Sequence, residues 1–175
     1  MKRKAVKSTK AAEDLDGNVK ASPKNKKISV VFICTGNICR SPVAEFLCKH
    51  ALRQKRIASR YRVSSAGISA YDGLGMSRLS AEVLSAARIP FTAHKSRRLT
   101  DKMLDTSDFI ICMTDGHKRA LEGANNAFSV AEITGYGDVS DPYGGTLADY
   151  QKMFDHLSYA MPEILVFVER KSQNR

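Results

Sequence analysis

The feature that most constrains the fold of this chain is an apolar run that leads into a short loop and then into a helix. Ile28 to Ile33 is typical of a buried strand, and a helical pattern begins at Pro42. A loop between a strand and a helix N-terminus can turn its N–H groups toward an anion. The pattern therefore predicts an α/β fold with an oxyanion-binding loop. The loop reads Cys34-Thr35-Gly36-Asn37-Ile38-Cys39-Arg40-Ser41-Pro42.

Two side chains of this loop indicate phosphoryl transfer through a cysteine. Arg40 offers a planar fork of donors that matches phosphate oxygens. Positive surroundings favour the reactive thiolate form of a cysteine, so we expect Cys34 to be the nucleophile. The remaining positions expected to bind phosphate or substrate within the loop are Thr35, Gly36, Asn37, Ile38, Cys39 and Ser41.

A second segment, residues 137–145, contains a candidate general acid. Asp141 precedes Pro142 and has glycines nearby, which predicts a constrained, exposed turn. A carboxylic acid in such a turn can protonate the oxygen that leaves when a phosphate ester is cleaved. The alternative for Asp141 is an ordinary turn aspartate.

With these motifs in place, the chain resembles the low-molecular-weight protein phosphatases over about residues 28–170. The resemblance implies a small doubly wound sheet of about four parallel strands with helices on both faces. It also implies a phosphocysteine intermediate and no metal or cofactor. The matching motifs are Cys34 to Pro42 with Val43-Ala44-Glu45, Ser65-Ala66-Gly67, Cys112-Met113-Thr114, His117-Lys118 and Asp141-Pro142-Tyr143.

The same resemblance implies a role for individual residues. By position, Cys34 is the nucleophile, Arg40 binds phosphate and stabilises the transition state, and Asp141 is the proton donor. The residues that the resemblance places in a hydrogen-bond network holding the loop are Asn37, Ser41, Ser65 and His94.

Alternating patterns predict the other elements of a parallel sheet covered on both faces. Further strands are expected at residues 61–65, 109–113 and 128–133, and helices at 42–54, 77–87, from Thr100, at 115–122 and from Leu147. Pro162 is expected to kink the last helix or break it into two pieces. The apolar stripe of that helix consists of Tyr150, Met153, Phe154, Leu157, Met161, Ile164, Leu165 and Val168.

The net charge of +10 is concentrated at one end of the chain. Residues 1–27 have a net charge of +6 and no apolar periodicity, so we expect a disordered basic tail. The phosphatase domain is expected at residues 28–170 and a short C-terminal tail at 171–175. The domain shows no nucleic-acid-binding motif, so no specific nucleic-acid binding is expected.

Cysteine usage and hydropathy favour an intracellular protein. The four cysteines lack the spacing of a disulfide framework or a metal site. No apolar run reaches the roughly 18 residues of a membrane span, and no signal peptide is visible. We therefore expect a cytoplasmic monomer without membrane association, metal or cofactor.

Phosphotyrosine is the favoured substrate. Ile38 is expected at the entrance of the site, where a branched apolar wall suits a phenyl ring, and Tyr71 and Tyr143 can flank that ring. Residues 113–118 and 135–145 resemble the bacterial arginine-phosphatase branch instead, so a protein-arginine phosphatase is the alternative.

Two other functions are considered. An arsenate reductase needs two relay cysteines, but none follows Cys112. Cys48 and Cys112 are therefore interpreted as small core residues. A non-catalytic phosphoprotein-binding module would lack the nucleophile, arginine or acid, and all three are present. Cys39 shares the loop with Cys34, and a reversible disulfide between them is hypothesised to protect the nucleophile from deeper oxidation.

Overall fold

The computed structural model of the chain describes residues 26–173, so nearly all of the expected basic tail lies outside the described residues. The central layer is a parallel four-stranded sheet in the order β2-β1-β3-β4. In the register, Cys34 pairs with Gly67 and Ile33 with Cys112, so the carboxyl ends of three strands meet at one edge. The strands are β1 (Ile28–Cys34), β2 (Tyr61–Gly67), β3 (Phe109–Cys112) and β4 (Ala127–Ser129).

Helices cover both faces of this sheet, as the sequence predicts. Val30 and Phe32 belong to the larger core, which α1, α2 and α6 complete, whereas Val31 and Ile33 pack with residues of α3 and its neighbours on the other face. The alternation follows from the two-residue period of a strand. The helices are α1 (Arg40–Gln54), α2 (Arg78–Ala86), α3 (Asp101–Thr106), α4 (Asp115–Arg119), α5 (Val130–Thr134) and α6 (Leu147–Gln173), with a 3₁₀ turn at Ala58–Arg60.

The predicted fourth strand at residues 128–133 is wrong in its second half. β4 ends at Ser129, which caps α5: Ser129 Oγ accepts a hydrogen bond from Glu132 N (3.0 Å), and Glu132 Oε2 accepts one from Ser129 N (3.4 Å). This capping box satisfies two backbone donors at the helix start. The local hydrogen bonds of Ser129 and Glu132 therefore override the β propensity of this segment.

Of the two outcomes expected at Pro162, a kink or a break, the structure excludes the break. Pro162 lies inside α6 without dividing it, so the predicted break is wrong. All eight residues of the predicted apolar stripe are buried, on both sides of the proline. Burial of this face stabilises the helix enough to offset one missing backbone hydrogen bond. The helix continues to Gln173, past the expected boundary at residue 170.

None of the helices within residues 26–173 combines the length and the apolarity that crossing a membrane would require.

Candidate active site

The loop between β1 and α1 surrounds the sulfur of Cys34. Cys34 is the last residue of β1 and is buried, while α1 begins at Arg40. Asn37 N donates a hydrogen bond to Cys34 Sγ (3.3 Å), and Ser41 Oγ lies 3.0 Å from the same sulfur. Asn37 has a φ of 55°, a left-handed conformation that asparagine tolerates better than most residues. The loop thus directs polar groups at the sulfur before any substrate binds.

The side chain of Asn37 ties the loop to three neighbouring segments. Its Nδ2 donates to Ser41 Oγ and Ser65 Oγ, each at 2.9 Å, and its Oδ1 accepts from Arg97 N at 3.0 Å. His94 Nε2 lies 2.7 Å from the Asn37 carbonyl oxygen. The structure therefore brings together Asn37, Ser41, Ser65 and His94, the four residues implied by the resemblance. Arg97, which lies outside the quoted motifs, joins them through its backbone N–H and through its Nε, which donates to the Ser65 carbonyl oxygen at 2.7 Å.

Arg40 and Asp141 form an ion pair at the edge of the loop. Arg40 Nη2 lies 2.6 Å from Asp141 Oδ2 and 3.3 Å from Thr35 Oγ1. The guanidinium is almost fully buried, whereas the Asp141 side chain is 48% exposed. Among the described residues, Arg40 Nε has no hydrogen-bond partner although it is buried. This donor is suited to an anion bound in the loop, because a buried N–H group needs an acceptor.

The segment that carries Asp141 is anchored to the end of β3. Val139 N donates to the Met113 carbonyl oxygen (2.9 Å), and the Val139 carbonyl oxygen accepts from Arg40 Nη1 (3.4 Å). Asp141 Oδ1 accepts from Tyr143 N at 3.2 Å, which forms the expected turn. The candidate acid is therefore held over the loop by backbone contacts as well as by its ion pair.

His117 is a site residue to which the sequence analysis assigned no role. Its Nε2 lies 3.0 Å from Thr35 Oγ1, and its Nδ1 lies 2.7 Å from Thr114 Oγ1, the N-cap of α4. Burial, reinforced by the positive charge of Arg40, lowers the pKa of His117. A neutral His117 therefore links Thr35, and through it Arg40, to α4. The sequence signal for this residue was the motif His117-Lys118 given above, but a motif does not show the direction of the imidazole ring.

Glu45 is a second residue without a predicted role. It lies on α1, is 7% exposed, and its Oε2 accepts a hydrogen bond from Ser65 Oγ at 2.6 Å. Lys49, one turn further along α1, forms an ion pair with Glu45. The Asn37–Ser65 contact thus continues to a charged pair on α1, which restrains the loop from behind.

A cleft of about 270 Å³ opens above the sulfur. Tyr71 and Tyr143, 80% and 73% exposed, stand at its mouth as predicted for the substrate slot, and Ile38 also lines it. The cleft therefore has a polar floor and a partly apolar entrance. Its lining comprises Cys34, Thr35, Gly36, Ile38, Cys39, Arg40, Ser69, Tyr71, Leu74, Asp141 and Tyr143.

The other cysteines differ in their surroundings. Cys39 Sγ lies 3.3 Å from Tyr150 Oη, and burial raises the pKa of the Cys39 thiol. Burial raises the pKa of both Cys48 and Cys112 to about 12. These two are fully buried in the hydrophobic core, which supports their interpretation as packing residues. Within residues 26–173, no group of three His, Cys, Asp or Glu side chains is arranged to hold a metal ion.

The fold and the site define a class: a small parallel α/β protein with a buried cysteine, an arginine and an aspartate around an anion-binding loop at the carboxyl edge of the sheet. The chain belongs to the family of low molecular weight phosphotyrosine protein phosphatases, whose model matches residues 29–174. This match confirms the resemblance drawn from the motifs.

Similar proteins within this family carry two kinds of name. The low molecular weight protein-tyrosine-phosphatase PtpB of Staphylococcus haemolyticus is 36% identical over 140 residues, 77% of this chain and 96% of that protein. A protein-arginine-phosphatase of Bacillus subtilis is 31% identical over 144 residues, covering 78% of this chain and 94% of its own. A solved structure of the YwlE arginine phosphatase, a cysteine-to-serine mutant with a phosphorylated active site serine, has a TM-score of 0.75 at 28% identity and covers 85% of this chain and 98% of its own.

Proposed function

We propose that this protein hydrolyses phosphotyrosine in proteins through a phosphocysteine intermediate. The observation that carries the proposal is the geometry of one cleft, in which Cys34 lies at the base with Arg40 and Asp141 beside it. A similar phosphatase, in its cysteine-to-serine mutant, carries a phosphorylated active site serine. Phosphate attached to an active-site side chain supports a covalent intermediate.

In the first step, the phosphoryl group occupies the loop, and its oxygens accept hydrogen bonds from the loop amides and from Arg40. The Cys34 thiolate attacks phosphorus, the bond from phosphorus to the tyrosine oxygen breaks, and Asp141 donates a proton to that oxygen. Such proton donation contributes about 10² to 10⁴ in rate. Donors already aimed at the equatorial oxygens contribute at least as much, because they need no reorganisation in the transition state.

In the second step, Asp141 acts as a base. It accepts a proton from water, the water oxygen attacks phosphorus, and the sulfur–phosphorus bond breaks. Phosphate leaves and Cys34 returns to the thiolate. The 3.0 Å contact with Ser41 Oγ and the 3.3 Å contact with Asn37 N stabilise the thiolate both as nucleophile and as leaving group.

Asp141 must exchange partners during this cycle. In the structure it pairs with Arg40 at 2.6 Å, whereas catalysis requires its oxygen at the leaving group. A phosphate dianion competes for the guanidinium and can accept from Nε as well, so its binding frees Asp141. The half-exposed position of the Asp141 side chain permits this movement toward the cleft.

The entrance of the cleft supports the choice of phosphotyrosine. Ile38, Leu74 and the two exposed tyrosines offer apolar surface to a phenyl ring above a polar floor. Phosphoarginine is the second candidate, because a similar Bacillus subtilis protein bears the name protein-arginine-phosphatase. We further propose that the enzyme acts in the cytoplasm as a monomer, since all four cysteines are free and one chain completes the cleft.

The test compares kcat/KM on matched phosphotyrosine and phosphoarginine peptides, with the Cys34→Ser variant as the blank. We expect preference for phosphotyrosine, and acid quenching during turnover should trap phosphate on Cys34. Preference for phosphoarginine would leave the proposed mechanism in place and make phosphoarginine the substrate. Turnover that survives in the blank, or no turnover of either peptide by the unmodified protein, would contradict the proposal.

A further inference from the structure

One wall of the cleft is a segment whose two ends are hydrogen-bonded to the loop between β1 and α1, which we call the phosphate loop. We call this segment, residues 69–77, the arch. Ser69 N donates to the Thr35 carbonyl oxygen (3.0 Å) at one end, and Ser77 N donates to the Ile38 carbonyl oxygen (2.8 Å) at the other. Between these ends, Tyr71 and Leu74 line the cleft and are largely exposed. Both ends of the arch are therefore fixed, and its middle needs separate support.

That support comes from residues 94–98, which we call the bracing segment. Ser96 lies in its centre and is 2% exposed. Ser96 Oγ donates to the Tyr71 carbonyl oxygen (2.5 Å) and accepts from Leu74 N (3.0 Å). The Ser96 backbone adds two more contacts, because its N donates to the Leu74 carbonyl oxygen (2.7 Å) and its carbonyl oxygen accepts from Gly73 N (2.8 Å). A single buried serine thus contacts the backbone of both Tyr71 and Leu74.

The bracing segment is itself joined to the phosphate loop. His94 Nε2 lies 2.7 Å from the Asn37 carbonyl oxygen, and Arg97 N donates to Asn37 Oδ1 at 3.0 Å. Arg98 N donates to Asp72 Oδ1 at 2.7 Å, which adds a contact from the bracing segment back to the arch. His94 and Arg97, on either side of Ser96, therefore contact the phosphate loop, whereas Ser96 contacts the arch.

We infer that Ser96 is a positioning residue for binding of the substrate beyond its phosphoryl group, because it fixes the arch at a defined distance from the phosphate loop. Asp72 contributes to the same function through Arg98. The inference rests on the proposed function in one respect: it takes the ring of the substrate to lie against Tyr71 and Leu74. It assigns Ser96 and Asp72 no part in binding the phosphoryl group.

The test measures binding to the Cys34→Ala protein, which has no nucleophile at this position and therefore holds ligands without reacting with them. Two probes are compared by calorimetry, a phosphotyrosine peptide and inorganic phosphate. Adding Ser96→Ala leaves the Leu74 N–H without its side-chain acceptor, and we expect the Kd of the peptide to rise roughly tenfold. The Kd of inorganic phosphate, which does not reach the arch, is expected to stay within about twofold.

Three further variants separate positioning from general damage. Asp72→Ala removes an exposed contact of the same brace and should raise the peptide Kd alone, whereas Asp72→Asn keeps the acceptor oxygen and should restore it. Ser29→Ala removes a buried serine hydroxyl at the far end of β1 and should change neither Kd. The inference would be overturned if Ser96→Ala raised the Kd of both probes equally or left the Kd of the peptide unchanged. It would also be overturned if the peptide bound no more tightly than inorganic phosphate. The proposed function fails separately, if the unmodified enzyme does not turn over either phosphopeptide.

Discussion

Gly67, the last residue of β2, gives the sharpest test of the site geometry, because a methyl group at this position has no space. An ideal Cβ there would lie 2.5 Å from the Thr35 carbonyl oxygen and 2.9 Å from Asn37 N, both backbone atoms of the phosphate loop. Real Cβ atoms essentially never approach within 3.0 Å of such atoms. Gly67→Ala must therefore move the loop by roughly 0.5 to 1 Å, and a displacement of about 1 Å from productive geometry costs about 10² in rate.

The substitution should also lower stability. Overpacking a rigid site costs about 1 to 3 kcal/mol, which corresponds to a decrease in Tm of roughly 3 to 9 °C for a domain of this size. The assay combines kcat/KM on a phosphotyrosine peptide with thermal unfolding. Gly75→Ala is the matched control for Tm, since apart from its chain neighbours no atom lies within 4 Å of its added Cβ. A Gly67→Ala protein with the activity and Tm of the unmodified enzyme would refute the argument that β2 limits the position of the loop.

Three further predictions concern individual side chains. Arg40→Lys loses the bidentate fork and should lower kcat/KM by about 10² to 10³; near-normal activity would remove the assigned role. Because the pKa of His117 is lowered on folding, the unfolded chain takes up this proton first, and stability should fall below about pH 6.5. Between about pH 7.5 and about pH 5.5, Tm should therefore fall less in His117→Gln than in the unmodified protein; parallel curves would contradict this. After peroxide treatment, dithiothreitol should restore activity much less in Cys39→Ser than in the unmodified enzyme, and equal recovery would exclude the Cys34–Cys39 disulfide.

The parts of the fold that the sequence predicts are those set by local pattern. The strand from Ile28, the loop after it and the helix that follows are encoded in consecutive residues. The apolar stripe of α6 was correct at every position, since helical periodicity survives even where Pro162 removes a hydrogen bond. The strand expected at residues 128–133 was wrong beyond residue 129 because a short, mixed segment is ambiguous, and only the Ser129–Glu132 pair marks the start of a helix.

The candidate site could be proposed from the sequence where residue type and spacing indicate the chemistry, and not where a residue contributes through its position in the fold. Cys34, Arg40 and Asp141 were recognisable by type and spacing. Arg97 contributes its backbone N–H to Asn37, and His117 contributes through the direction of its ring. Neither contact can be inferred from the residue type, because each depends on segments that come together only in the folded sheet.

The contacts that complete the loop come from distant parts of the chain. Asn37 and His94 are 57 residues apart, Thr35 and His117 are 82 apart, and Arg40 and Asp141 are 101 apart. Cys34, the proposed nucleophile, lies early in the chain, and Asp141, the proposed general acid, lies late. Closing these long loops costs conformational entropy that the packed sheet offsets. The complete site therefore exists only when these distant segments are folded into place together.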